Sequence, residues 1–233
     1  MQKAIFNIQN ETDFKLCALQ VFKYQFENNR VYMSFCDLLY IHPSDVKEVS
    51  QIPFLPIQFF KTHQVLSTNQ SVQETFTSSG TTGAQISKHL VADVSWYEAS
   101  YTRAFEHFYG PVEDYTVLGL LPNYLEREGS SLIYMVNDFI NKSNNPRSGF
   151  YLDNLSELTK TLIALDQKGV KVLLIGVTFA LLDLIESQTF SLNNTVIMET
   201  GGMKGRRKEM IREELHEILA AGLACLKFIQ STE

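Results

Sequence analysis

Cysteine is scarce and poorly placed for cross-linking: Cys17, Cys36 and Cys225 are an odd, widely separated set with no C-x-x-C pair. That pattern argues against a disulfide framework and supplies no structural zinc motif. It fits a reducing, cytoplasmic setting. Long apolar runs are missing as well. The longest, Val172 to Leu182, is too short to cross a bilayer and meets Asp183 at once. The opening stretch MQKAIFNIQNETD lacks the apolar segment of a signal peptide, so no membrane span is expected. Positive charge is in deficit: 20 Lys and Arg against 26 Asp and Glu give a formal net charge of −6, which argues against a general nucleic-acid surface. The basic run from Lys204 to Arg212 has no interleaved aromatic residues to stack bases, and no nucleic-acid partner is expected. His63, His89 and His107 do not stand at metal-ligand spacing, and no G-x-S-x-G nucleophile elbow occurs.

What remains is a chain of 233 residues, 45% apolar, able to bury a substantial core. Its most informative segment is T-S-S-G-T-T-G-A-Q-I-S-K, Thr77 to Lys88. Two glycines let the backbone turn its N–H groups inward, and the hydroxyls of Ser78, Ser79, Thr81 and Thr82 add donors suited to phosphate oxygens. Lys88 can supply positive charge. The run is neither a G-x-G-x-x-G fingerprint nor a Walker A loop, since no G-K-[ST] closes it. A Ser/Thr/Gly run also serves as a plain connector, but the periodic segments that follow favour a phosphate loop.

Those segments predict helices over residues 13–28 and Tyr32–Tyr40, and an irregular stretch through Ile52–Lys61, where Pro53 and Pro56 interrupt the backbone donors. The aromatic residues of that stretch are read as core. Residues 1–65 are expected to form a helical N-terminal layer and residues 66–233 an α/β core. Ser95 and Glu98 have capping-box spacing for a helix over Trp96–His107. Strands are expected at Thr116–Leu121, Val170–Ile175, Thr195–Met198 and Leu226–Ile229. Helices are expected at Ser130–Ile140, Leu155–Gln167, Phe179–Glu186 and Arg207–Ala220, with Asn154 and Glu157 spaced for a cap. This alternation predicts a mostly parallel sheet flanked by helices, with ligands bound beyond the carboxyl ends of the strands.

Two strand ends therefore matter, Leu121–Tyr124 and Glu199–Gly205. Gly201, Gly202 and Gly205 permit tight turns and close ligand approach just before a helix start, where an anion would also offset the charge of Lys204, Arg206, Arg207 and Lys208. A solvated basic face balanced by Glu209, Glu213 and Glu214 is the alternative for Arg207 and Lys208. Glu199 is read either as a partner for a ribose hydroxyl or adenine amine, or as a structural hydrogen-bond acceptor. Glu126, Arg127 and Glu128 read as a charged loop surface.

S-S-G-T-T-G from Ser78 to Gly83 resembles the phosphate loop of the adenylate-forming enzymes. F-L-P-I-Q-F-F-K, Leu121–Met135 and Glu199–His216 resemble, more narrowly, the LuxE-type acyl-protein synthetases. The resemblance implies the α/β fold of the large N-terminal domain of adenylate-forming enzymes. It implies ATP-dependent, Mg2+-assisted activation of a fatty or other carboxylic acid to an acyl-adenylate, for transfer to a protein thiol. By it, Ser78, Ser79, Gly80, Thr81, Thr82 and Gly83 would hold the triphosphate, Thr81, Thr82 and Lys88 would act in catalysis, and Glu199, Gly201 and Gly202 would approach the adenosine. An acyl-acceptor or acyl-reductase protein is the implied partner. The sequence departs from the superfamily pattern between Ala84 and Lys88, where proline then lysine is usual. The family's closing C-terminal region is expected to be missing after Glu233, which leaves a catalytically incomplete nucleotide- or partner-binding module as the alternative reading.

Overall fold

The computed structural model describes all residues except 1, 69, 79–84, 122–128, 152–153, 202–209, 225–226 and 231–233. It divides into two compact units, Met1–Ser100 and Tyr101–Glu233.

The first unit contains α1 (Gln2–Ile5), α2 (Glu11–Asn28), α3 (Arg30–Leu38), α4 (Phe59–Thr62) and a hairpin of β1 (Glu74–Thr77) and β2 (Lys88–Val91). Asn10 opens α2 by accepting the Asp13 N–H at 2.9 Å. Asn29, buried, both ends α2 and caps α3, its N–H donating to the Gln25 carbonyl and its side chain accepting the Tyr32 N–H at 3.2 Å. One side chain thus makes the corner between two helices, satisfying donors that a longer loop would leave to water. Phe22, Tyr32, Cys36 and Val46 form the core beneath it, with Leu19, Phe26 and Phe35 packed around. The Tyr32 hydroxyl donates to the Pro53 carbonyl at 2.6 Å and ties the proline-interrupted stretch to α3.

That stretch is irregular through Gln58, as expected, but a single helical turn then covers Phe59–Thr62. Its aromatic residues are not all core: Phe59 meets Phe35 at 5.7 Å between ring centroids, while Phe54 is 77% exposed. α5 (Ser95–Tyr109) starts one residue earlier than expected. Its first turn is capped from Asp93, whose Oδ1 accepts the Ser95 N–H at 3.1 Å and the Ser95 hydroxyl at 2.6 Å, so Ser95 is a helical residue rather than the cap.

The second unit is an α/β layer structure. Its elements are β3 (Thr116–Leu120), α6 (Ser131–Lys142), β4 (Gly149–Phe150), α7 (Leu155–Asp166), β5 (Val172–Gly176), α8 (Thr178–Ser187), β6 (Thr195–Glu199), α9 (Arg212–Leu223) and β7 (Lys227–Gln230). The strands form one parallel sheet in the order β4-β3-β5-β6-β7. β3 and β5 are buried along their whole length, which is why they read in the sequence as continuous apolar runs. After β4 the winding reverses. Right-handed crossovers then set α6 on one face and α7, α8 and α9 on the other. The α6 face is completed by aromatic packing of Tyr101 and Phe105 on Phe139, at 5.3 and 5.2 Å between centroids.

Ser130 and Asn154 cap α6 and α7 through their side chains. Asp166, at the end of α7, accepts the N–H groups of Asn193 and Asn194 at 2.9 and 2.8 Å and so sets the entry to β6. The last helix departs from the sequence reading. Expected over Arg207–Ala220, it runs Arg212–Leu223, with Ile211 at its N-cap and no side-chain cap bond; Arg207 and Lys208 lie outside the described residues.

Two predictions follow from this packing. Burial pushes the Tyr32 hydroxyl and the Cys36 thiol above their ordinary values; Cys36 raises Tyr32 further, whereas at Cys36 the Tyr32 hydrogen bond partly opposes the rise and the Asp37 charge adds to it. A proton held more tightly by the folded than by the unfolded chain stabilises the fold fully below the unfolded pKa, and that contribution is lost as pH rises. Stability should therefore decline above about pH 9, the ordinary thiol value being 9.0. A urea midpoint equal at pH 7 and pH 10 would contradict this, and a Tyr32→Phe/Cys36→Ala double variant should show a shallower decline. In the second unit, a Cβ at Gly222 would stand 2.8 Å from Ile185 Cβ and 2.9 Å from two further Ile185 carbons. Gly222→Ala should destabilise by about 1 kcal/mol, and by no more than about 2, in urea melts. The reason is that overpacking costs roughly 1–3 kcal/mol, against a helix-propensity gain near 1.

Candidate functional site

The Ser/Thr/Gly segment is the connection of a β-hairpin. Phe76 pairs with His89 and Thr77 with Lys88, so Thr77 and Lys88, read in the sequence as loop residues, are the last rungs of the ladder. Beyond them the Ser78 N–H donates to the Ser87 carbonyl at 3.1 Å, and the Ser87 N–H donates to Ser78 Oγ at 3.2 Å. The loop base is thus closed by a backbone bond and a side-chain bond together. The Gln85 amide donates to the Lys61 carbonyl at 2.6 Å and fastens the returning limb to α4. Lys88 is exposed and, among the described residues, makes no ion pair. Ser79, Gly80, Thr81, Thr82 and Gly83 lie outside the described residues. The geometry brings Ser78 next to the Thr77–Lys88 rung, a cation one residue pair from the start of the donor-rich loop.

In the second unit the carboxyl ends of β3, β5 and β6 are linked directly. The Val177 N–H donates to the Leu120 carbonyl at 3.3 Å, and the Thr200 N–H donates to the Gly176 carbonyl at 3.1 Å. Glu199, 3% exposed, accepts through Oε1 the Thr178 hydroxyl and the Gly201 N–H, the latter at 2.7 Å. The Thr178 N–H donates in turn to the Gly201 carbonyl at 3.2 Å. Gly201 has φ +74°, a left-handed turn that a Cβ would disfavour. Of the two readings open for Glu199, the structural one is realised at Oε1. Gly202, Lys204 and Arg206 lie outside the described residues, as do Pro122 to Glu128.

Sequence reasoning picked the ends of β3 and β6 and missed what lies between them. Chain reversal after β4 sets β5 between those strands, and the crevice at such a reversal is where open parallel sheets bind ligands. Gly176, Val177 and Thr178 are therefore the central residues of this edge. A threonine two residues after a strand-ending glycine was the available signal. Gly176 itself is packed close, since a Cβ there would meet Leu181 at 3.0 Å.

Among the described residues no three His, Cys, Asp or Glu side chains form a group able to hold a metal, and no helix is long and apolar enough to cross a membrane. Cys17 and Cys36 are buried and unpaired.

Residues 4–111 match the family model of acyl-protein synthetase, LuxE. The match supports assignment to the LuxE family. It contains F-L-P-I-Q-F-F-K and the whole hairpin with its Ser/Thr/Gly loop, and it ends before Leu121–Met135 and Glu199–His216. Among curated proteins nothing matches the chain.

The bonding at Glu199 yields a prediction on stability. Glu199→Ala would leave a buried donor, the Thr178 hydroxyl, and a half-buried one, the Gly201 N–H, without this acceptor, at about 1–3 kcal/mol each, whereas the carbonyl oxygen of Glu199→Gln can still accept both. The alanine variant should lose roughly 2–4 kcal/mol in urea melts and the glutamine variant less than about 1. Equal losses in the two would refute this role.

Proposed function

We propose that the protein activates a fatty or other carboxylic acid as its acyl-adenylate and supports transfer of the acyl group to a thiol of an acceptor protein. The observation that carries this reading is the LuxE match over a segment containing a hairpin-closed Ser/Thr/Gly loop. In the first step a carboxylate oxygen forms a bond to the α-phosphorus of ATP as the bond to the bridging oxygen breaks, and pyrophosphate leaves. In the second a thiolate sulfur attacks the acyl carbonyl and AMP leaves. Negative charge builds on phosphate oxygens in the first step, and preorganised donors at that charge give the largest catalytic benefit.

Ser78, Ser79, Gly80, Thr81, Thr82 and Gly83 supply N–H and hydroxyl donors for the triphosphate, and Lys88 adds a cation beside the loop base. The Ser78–Ser87 bonds hold that base. The protein donor set fits a metal carried by the nucleotide rather than a protein cage. Mg2+ would enter with the nucleotide and would neutralise part of the phosphate charge. Glu199 shapes the Gly201 turn, and with Gly201 and Gly202 it forms the proposed adenosine-facing edge of the second unit. A cytoplasmic setting, with an acyl-acceptor or acyl-reductase protein as partner, agrees with the buried unpaired thiols of Cys17 and Cys36.

Exchange of labelled pyrophosphate into ATP should require a carboxylic acid. Thr81→Ala and Thr82→Ala should each lower that exchange, by roughly a hundredfold when the hydroxyl meets developing charge, with the urea midpoint unchanged. Binding of ATP in calorimetry with no exchange for any acid would overturn the enzymatic reading and leave a nucleotide-binding module.

A further inference from the structure

A cavity of about 1080 Å³ opens within the Met1–Ser100 unit and is not part of the phosphate loop. Phe14, Ala18 and Val21 line it from α2, at spacing that puts them on one helix face. Leu90 from β2, Phe54 from the proline stretch and Trp96 from α5 complete the apolar wall. The cavity is slightly larger than the roughly 300–1,000 Å³ usual for small-molecule sites. It follows α2 from Phe14 to Gln25, about 16 Å at 1.5 Å rise per residue, so it is long as well as large.

Its charge content narrows the occupant. No Lys, Arg or Glu lines it, and Asp93 is its one carboxylate. The Asp93 Oδ1 is already committed to Ser95, at 2.6 Å from the hydroxyl and 3.1 Å from the N–H. The polar residues Gln25, Asn29 and Ser67 are hydrogen-bonded to one another. A wall of this kind offers an anionic group no Lys or Arg and a cationic group only an engaged carboxylate, so desolvating an ionic group there would be costly. Methylene groups, in contrast, gain on leaving water. β2 connects the cavity to the chemistry: His89, Leu90 and Val91 line it, and the preceding residue, Lys88, stands at the last rung before the loop.

We propose that this cavity is a binding site for a single unbranched alkyl chain. Taking that chain as the tail of the acid being activated rests on the function proposed above; the alkyl site itself does not.

Trp96 is the single tryptophan of the chain and lies in the wall, so its fluorescence reports occupancy directly. The purified full chain is titrated, below the micelle concentration of each probe, with ω-bromoalkanoic acids and ω-bromoalkanols of increasing length. Saturable quenching is expected for both headgroups, with affinity rising about fourfold per added methylene until the cavity is full. Ala18→Phe, which fills the space, should weaken binding at least tenfold with circular dichroism unchanged. Should that variant not fold, the length series on the unaltered chain decides. Quenching that does not saturate, or that is indifferent to chain length, overturns the proposal, as does wild-type quenching of a folded Ala18→Phe. Alkyl binding without acid-dependent pyrophosphate exchange would retain this site and overturn the proposed function. Exchange without quenching would do the reverse.

Discussion

A carboxylate buried at the carboxyl edge of a parallel sheet must be given donors by its own fold, and in the second unit that requirement organises the edge. Glu199 is almost fully enclosed at the last β5–β6 rung, opposite Gly176. Its Oε1 draws in the Thr178 hydroxyl from the start of α8 and the N–H of Gly201 from the turn beyond β6. Two segments, the start of α8 and the turn beyond β6, are thereby fixed to one oxygen atom. Removing the acceptor would strand two donors, a larger penalty than the net worth of either bond. The Gly201 turn needs a positive φ because the chain must fold back at once to present its N–H.

The first unit solves a different problem, holding a donor-rich loop by its base. A Ser/Thr/Gly segment loses much conformational entropy on ordering, and a bare connector of that composition would present its donors in no fixed direction. Ser78 and Ser87 limit the freedom of the ends by pairing through one backbone and one side-chain bond. Gln85 adds a tether to the Lys61 carbonyl. The loop thus springs from a closed rung, and Lys88 is held by strand geometry.

Legibility in the sequence tracks how each element is buried. β3 and β5 have both faces covered and stand out as unbroken apolar runs. α7 was marked by Asn154, whose cap the structure realises, while Ser130, read as the first residue of α6, is its N-cap. β1 and β2 were not legible. Each has four residues, none of them fully buried, and no tight-turn dipeptide of the two-residue hairpin kind joins them, so neither alternation nor turn chemistry announces a hairpin. The start of α9 was misplaced for a related reason: R-R-K-E-M-I-R-E-E offers no Ser, Thr, Asp or Asn to mark a cap, and the actual N-cap, Ile211, makes no side-chain bond. The partnership of Glu199 with Thr178 spans 21 residues and depends on β5 and β6 being neighbours. Only the strand order reveals it.

β2 shows how little chain is needed to separate two kinds of recognition. Within Lys88–Val91, exposure falls from exposed at Lys88 and His89 to half-buried at Leu90 and Val91. The polar end adjoins a loop of N–H and hydroxyl donors, and the apolar end walls a cavity without a cationic lining residue. An ammonium placed inside that cavity would lose hydration, and the one carboxylate there, Asp93, is already engaged by Ser95; at the exposed rung Lys88 keeps its water and its reach. The same four residues therefore favour an anionic group at one end and methylene groups at the other. Their antiparallel pairing with Glu74–Thr77 fixes the order in which a bound molecule would meet them.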